Sequence, residues 1–580
     1  MVKDKKAELK VQKFGKVEYL LPLLHFLASF FYEWTILQLH PAKYTVTAVA
    51  KSAKYSDQFE RVMAYGISKL FAALIIWGSW KLFFYVLRNL RKKFSIRLFA
   101  IFFAVGAFVI LLLWPNGFTH SIDNYVTFTY AIRLYPEYWH SAYTSILFTA
   151  CMMVIPHPFA ISFFQWLAFS FVLGYLFVRL EAMSTWRKGV KWFAFLIFLL
   201  PEVVILFSDA YRTELYALLC MFYMTKIIFD ILEQKCHSSM ELVAMALLSA
   251  FVAVWRTEGI LLGGMGYLAM LLFSKESSIK KGLKWFAVFV VAFFMISFPQ
   301  KVGNEKYYGS DYSIINSFFV LKNVFNRADA NLNYEGAQED LAAIEAVVPI
   351  EAIQAYGLDG YRRYNYENGH QDINQSLTDR EAGKAYVKAF YRIVFHNPVI
   401  YAQTQLGLLK VVLCLRTEPY VEGSTIILSR EYPNWRFQAW EDGNEDLLSF
   451  FAVRRWQEWN PRKQFAEGFL VWTSKIADWK KKIYLSSLIL IAIPLLNFWI
   501  LVRDAWNFLK KPKAEKNFME LCFAFLAMML LGQFAIITLV MPERSFSYFC
   551  AVYFCSFILQ LCYFGKAVSR EKSERPQEVA

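Results

Sequence analysis

Three short clusters pair carboxylates with guanidiniums in an otherwise apolar chain: Asp209-Ala-Tyr-Arg212-Thr-Glu214, Trp255-Arg256-Thr-Glu258 and Pro542-Glu543-Arg544-Ser545. A lone acid, Asp123, stands in the polar stretch Gly117 to Tyr125. A guanidinium is a planar fork of donors suited to phosphate, and a carboxylate can take a proton or orient the fork. The tripeptide Arg-Thr-Glu begins at 212, 256 and 416, in surroundings different enough to read as recurring chemistry rather than a repeated fold. Tyr548 follows Arg544 by one turn. Taken singly, each cluster also reads as an ion pair fixing a helix turn, and Asp123 as the cap of a helix starting near Asn124. Taken together, three arginines and several acids point to an anionic ligand, on condition that they share one side of the molecule. Between them in sequence lies Leu134 to Tyr143, whose aromatic rings, Glu137 and His140 suit a sugar-binding wall. No second histidine sits at a ligand spacing from His140, so no metal is assigned.

The elements that must position these groups are membrane spans. Of 580 residues 57% are apolar and 18% aromatic, against about 45–50% apolar in soluble domains, so the chain reads as an all-α polytopic membrane protein. A span needs about 17–25 mostly apolar residues. Twelve runs qualify: 17–39, 63–87, 98–115, 159–182, 192–208, 211–233, 239–255, 257–273, 284–300, 482–502, 517–540 and 545–564. The first follows six lysines but is too long for a signal-peptide core and lacks a cleavage site, so it reads as a retained span. Three regions follow: a transmembrane module over 1–300, a mixed and mainly helical extracytoplasmic region over 301–481, and C-terminal spans with a cytoplasmic tail over 482–580.

Charge sets the orientation. The net charge of +15 is concentrated beside apolar runs, which fits the lysine and arginine excess of cytoplasmic loops and argues against a nucleic-acid partner. With the N-terminus cytoplasmic, residues 141–155 decide the rest. If they crossed, the basic stretches 187–191 and 275–284 would lie outside; as an interfacial or re-entrant helix they leave every basic connector inside, C-terminus included. Asp123, the three charged junctions and the 301–481 region then share the external face. Six of eight cysteines lie in or against apolar runs, so no disulfide framework or CxxC metal site is indicated.

The order of these features resembles the GT-C superfamily of membrane glycosyltransferases, which includes protein O-mannosyltransferases, lipid A aminoarabinose transferases and oligosaccharyltransferases. The resemblance rests on an N-terminal span, an external loop opening with Asp123, the Pro136 to Ser141 entry to a short helix, Asp209 to Glu214 after the next helix pair, and Pro542 to Arg544. It implies transfer of a sugar from a polyprenyl-phosphate donor to an acceptor hydroxyl at the external face, with inversion. Asp123 would be the catalytic base, while Arg212, Arg256 and Arg544 would hold the phosphate. Glu214 and Glu258 would orient the arginines or the sugar, with Asp209, Glu543, Tyr548, His140 and Glu137 completing the substrate site. Asp123-Asn124 stands where several members carry two acids, and no cofactor or divalent metal is assigned. The partners implied are the donor, a glycan, lipid or protein acceptor, and membrane lipids. The other classes to weigh are a transporter or flippase of an anionic lipid-linked substrate, which calls for inverted repeats and helices broken at mid-membrane, and a scaffold binding partners through 301–481.

Overall fold

The computed structural model describes residues 15–33, 58–113, 127–182 except Thr129 and His140, 195–208, 212–274, 279–355, 380–415, 459–511, 518–541 and 546–573. Asp123, His140, Asp209, Glu543 and Arg544 therefore lie outside the described residues. Helix is the regular structure throughout, and the described residues contain no strand. That is the expected answer to an apolar sequence, because hydrocarbon offers no partner for backbone N–H and C=O groups and a helix satisfies them internally.

In chain order the first helices are α1 Val17–Phe31, α2 Gln58–Asn89, α3 Phe94–Leu113, α4 Ala142–Val154 and α5 Phe159–Ala182. Next come α6 Pro201–Ser208, α7 Arg212–Leu232, α8 Ser239–Trp255, α9 Ile260–Phe273 and α10 Ile279–Tyr307. The polar region supplies α11 Asp311–Phe325, α12 Ala337–Glu345, α13 Arg380–His396, α14 Pro398–Val412 and α15 Asn460–Lys482. The chain closes with α16 Leu485–Lys510, α17 Phe518–Val540 and α18 Cys550–Ser573.

Among the described residues seven helices are long and apolar enough to cross a membrane: α2, α3, α5, α7, α10, α16 and α17. α1, α4, α8 and α9 are apolar but shorter, as are the stretch Ser313–Phe325 of α11 and the stretch Cys550–Gly565 of α18. The expected span at 192–208 is interrupted where it is described: a 3-10 turn at Ile197–Leu199 ends at Leu200, and Pro201 opens α6. Proline is favoured at a first helical position, where its missing N–H has no partner to lose.

α7 forms the axis of the bundle, packed against α18, α9 and α5, while α17 joins α9, α16 and α18. Their shared core holds Tyr223, Tyr267, Phe198, Phe207 and Phe549, all buried. α4 is enclosed: eleven of its thirteen residues are buried, against α2 on one side and α5 on the other. At 1.5 Å per residue it is about 20 Å long, short of a ~30 Å hydrocarbon core. A helix lying at the surface would leave one face open, and this one does not.

The α1–α2 pair is bracketed by two ion pairs. Glu18 meets Arg88 near one end, and Glu33 meets Lys69 near the other. Lys69 Nζ also donates to Ser29 Oγ at 2.6 Å and lies 3.5 Å from the centre of the Phe30 ring, while Tyr65 donates to Glu33 at 2.8 Å. Nineteen residues separate Lys69 from Arg88, which is about 28 Å of helix. His25 joins this pair to α4, its Nε2 lying 2.8 Å from the Val154 carbonyl while Trp80 Nε1 donates to Nδ1 at 3.2 Å. Those partners fix the neutral tautomer with the proton on Nε2.

The polar region has its own apolar core, from Ile314, Phe318 and Leu321 of α11, Ile344 of α12, Tyr386 and Ile393 of α13 and Ile400 of α14. α14 ties it to the bundle: Leu408 and Val412 enter the bundle core, and Tyr401 donates to the Leu539 carbonyl at the end of α17.

Candidate functional site

The connection from α8 to α9 is only four residues long, and it carries the second Arg-Thr-Glu tripeptide. Arg256 is extended, with φ −134° and ψ 143°, so the chain leaves α8 sharply before the 3-10 turn Thr257–Gly259 sets it into α9. Gly259 makes the turn possible, because a Cβ there would collide with the Val252 carbonyl oxygen and the Tyr216 hydroxyl. The turn closes with Gly259 N–H donating to the Arg256 carbonyl at 2.9 Å.

This geometry turns the Arg256 side chain onto the start of α7. Its Nε donates to Glu258 Oε1 at 2.5 Å and its Nη1 to Thr213 Oγ1 at 2.8 Å. Its guanidinium carbon sits 4.8 Å from the centre of the Tyr548 ring, in the 3-10 turn Phe546–Tyr548 ahead of α18. The arginine of the second Arg-Thr-Glu thus binds the threonine of the first, and the third junction supplies the aromatic face. α17 enters through buried Gln533, whose Nε2 donates to the Glu258 carbonyl at 2.5 Å.

Arg256, Glu258, Thr213 and Glu214 are all buried. Ionised groups removed from water hold only when paired and hydrogen-bonded, as Arg256 and Glu258 are here. Arg212 is adjacent to Thr213 at the first position of α7. The described parts of all three sequence junctions therefore meet at one end of the bundle: Arg212, Thr213 and Glu214; Arg256 and Glu258; and Tyr548. Thr127 and Phe128, the first residues described after Asp123, are also buried, and Leu215 of the first turn of α7 packs against the cluster containing Phe128.

The aromatic segment before α4 forms a second group, held by α10. Gln300 accepts from the Ala142 N–H at 2.8 Å, capping α4, and donates to the Tyr138 carbonyl at 2.7 Å, where Asn304 also donates at 3.1 Å. Tyr138 stacks on Tyr307 with ring centres 5.6 Å apart, and Trp139 meets Tyr308 edge-on at 5.1 Å. Gly303 is the clearance for this contact, since a Cβ there would enter the Tyr138 ring. Glu60 of α2 accepts from Lys306 and from the Tyr307 hydroxyl, both at 2.8 Å. Burial, reinforced by the nearby Glu60, holds the Tyr138 phenol well above its ordinary pKa. Glu137 is fully buried, with its backbone N–H on Ser145 Oγ at 3.0 Å.

Sequence reasoning passed over Thr213, Gln533, Tyr307 and Tyr308. Thr213 was visible as the middle of a recurring tripeptide. Gln533, a single amide in an apolar run, and the two tyrosines at the far end of a long span carry no local signal of what they touch. Among the described residues no group of three or more His, Cys, Asp or Glu is placed to hold a metal ion. The chain matches no protein-family model, no curated protein and no solved structure.

Proposed function

We propose that this protein is a GT-C-type glycosyltransferase, moving a sugar from a polyprenyl-phosphate donor to an acceptor hydroxyl at the external membrane face. The observation that carries the proposal is the meeting of Arg256, Glu258, Thr213 and Tyr548 from three distant junctions at one end of the bundle. An ionisable group within the membrane costs about 2.5–3.5 kcal/mol at the centre on insertion scales, so such residues mark functional cavities by default. In this reading the bundle has about twelve crossings, α4 is re-entrant, both termini are cytoplasmic and the 301–481 region is extracytoplasmic.

In the reaction, the acceptor oxygen attacks the sugar C1 as the C1–O bond to phosphate breaks. The electron pair leaves on the phosphate oxygen, and the hydroxyl proton passes to the Asp123 carboxylate. Single displacement inverts the anomeric centre. Arg212 and Arg544 take the departing phosphate, while Arg256, committed to Glu258 and Thr213, fixes the shape of the junction and adds its field at the same end of the bundle. Glu214 and Asp209 orient the sugar, together with the aromatic segment bearing Glu137 and His140.

The test is purified protein in lipid vesicles with a panel of polyprenyl-phosphate sugars, scored for release of polyprenyl phosphate. Release from one donor, abolished in a folded Asp123→Asn variant, is the expected result. Undiminished release by that variant removes Asp123 from the mechanism. No release from any donor, with labelled substrate crossing the vesicle membrane, assigns the protein to transport instead.

A further inference from the structure

A second site lies at the opposite end of the bundle from the charged junctions. α3, α5 and the segment 195–199 enclose a cavity of about 380 Å³. Its apolar wall is built from Leu98, Phe99 and Phe102 on α3, Phe177 on α5, and Phe195 and Leu199. The hollow exists because α5 presents two small residues one turn apart, Ser170 and Gly174. Such pairs in membrane helices usually admit a neighbouring helix. Here only the Phe99 ring approaches, 3.1 Å from where a Gly174 Cβ would stand. Ser170 Oγ faces this space, buried and with no hydrogen-bond partner among the described residues. The end near Phe177 is marked by Arg179, two residues on, which pairs with Glu233 just beyond the last turn of α7. The twenty-one residues of α7 separate that level from Arg212, about 31 Å.

One mouth of the cavity is strongly basic. Ser95, which lines it, is preceded by Arg91, Lys92 and Lys93 and followed by Arg97, all exposed. From Arg88 to Ile122 the sequence contains no acid. An apolar slot between two helices of spanning length, opening at exposed cations, matches an amphiphile with an apolar tail and an anionic head.

We propose that this cavity seats one acyl chain of an anionic phospholipid, with its phosphate at Arg91, Lys92, Lys93 and Arg97. The chain lies along Phe99 and Phe102 and ends beside Ser170. The headgroup sits beyond Ser95, among the exposed lysines. This site is separate from the junction around Arg256 and does not rest on the activity proposed there.

The test uses the full-length protein in nanodiscs containing a trace of diazirine-tailed phosphatidylglycerol or diazirine-tailed phosphatidylcholine, with adducts mapped after illumination. Phosphatidylglycerol adducts are expected on residues 98–102, 170–177 and 195–199, several-fold above phosphatidylcholine. Neutralising two cations in Lys92→Gln/Lys93→Gln should remove most of that preference, because each cation beside an anionic headgroup contributes to its binding. Filling the slot with Gly174→Leu, or with Ser170→Leu if the former elutes as aggregate, should remove the adducts while leaving labelling of the outer faces of α2 and α10 intact. Equal labelling by the two lipids, or adducts spread evenly over the exposed apolar faces, overturns the proposal. So does a slot that stays unlabelled in the wild-type protein, which would mean that part of the chain itself fills it.

Discussion

Removing Arg256 alone should damage the protein more than removing Arg256 and Glu258 together. In Arg256→Met the Glu258 carboxylate, its side chain only 6% exposed, stays buried and loses its Arg256 partner. The variant also loses the bond to Thr213 and the contact with the Tyr548 ring. Breaking one side of a buried ion pair costs about 3–5 kcal/mol, and the cation–π contact contributes roughly 0.5–2 kcal/mol of overlapping loss. A loss of 3–5 kcal/mol is about two to nearly four orders of magnitude in the folding equilibrium. The double variant Arg256→Met/Glu258→Leu removes both charges and fills the space, and such replacements are close to neutral. Reversible unfolding in mixed micelles, followed by loss of helical circular dichroism, measures both. The expected order is wild type, then the double variant within about 1 kcal/mol, then the single variant well below. A single variant costing less than about 1 kcal/mol, or a double as unstable as the single, would refute the assignment of Arg256 and Glu258 as a mutually dependent pair. Under the proposed function the double variant folds but transfers no sugar.

Two further outcomes follow from local geometry. Gly259→Ala places a methyl group into the Val252 carbonyl and the Tyr216 hydroxyl, so overpacking of about 1–3 kcal/mol should outweigh the helical preference for alanine. Because the displaced turn carries Glu258, transfer activity should fall further than stability does, and equal losses of the two would contradict this placement. His237, in the loop between α7 and α8, has a side chain only 3% exposed, and burial lowers its pKa despite Asp230 at 3.8 Å. Lys226, Lys235 and Glu241 complete its charged surroundings, the two lysines also lowering its pKa and Glu241 raising it. Above the unfolded value of about 6.5 both states hold it neutral. As the pH falls below that, the unfolded chain gains the proton first, so stability drops by at most about 1.4 kcal/mol per pH unit until the folded group also titrates. His237→Gln should flatten the stability profile between pH 7 and 5, and an unchanged slope would show that another group is responsible.

Much of the fold can be read from hydropathy, because in hydrocarbon a run of apolar residues has no alternative to helix. The expected runs at 63–87, 98–115, 159–182, 211–233, 284–300, 482–502 and 517–540 each coincide with a helix of spanning length. Lengths of short elements were harder to foresee, since packing decides them: α9 begins only after the Thr257–Gly259 turn, and the 192–208 run divides at Pro201. The convergence of Arg256 on Thr213 was expected only as two junctions on one side. Hydropathy and charge fix which end of a helix a residue occupies, whereas direct contact depends on helix rotation, which residues such as Gly259 and Gln533 set through tertiary packing. The aromatic segment 134–143 was recognised for its rings, yet its partners Tyr307 and Tyr308 stand more than 160 residues away.

The two ion pairs that bracket α1 and α2 work as a ruler. Glu18–Arg88 and Glu33–Lys69 stand about 28 Å apart along the α2 axis, close to the thickness of an ordinary hydrocarbon layer. Between them, Lys81 lies 4.7 Å and 5.1 Å from the Tyr19 and Trp77 ring centres, so the cation inside the interval rests on aromatic faces. A thicker bilayer would draw one bracket into hydrocarbon, and a thinner one would strand apolar surface in water. Tilting the helix pair would meet a thinner bilayer, whereas a thicker one would be met by local thinning of the lipid or by snorkelling of the end residues. Through His25, whose ring binds the end of α4, that tilt reaches the enclosed helix and the aromatic segment joined to it. A change in membrane thickness that tilted the pair would thus be felt inside the protein.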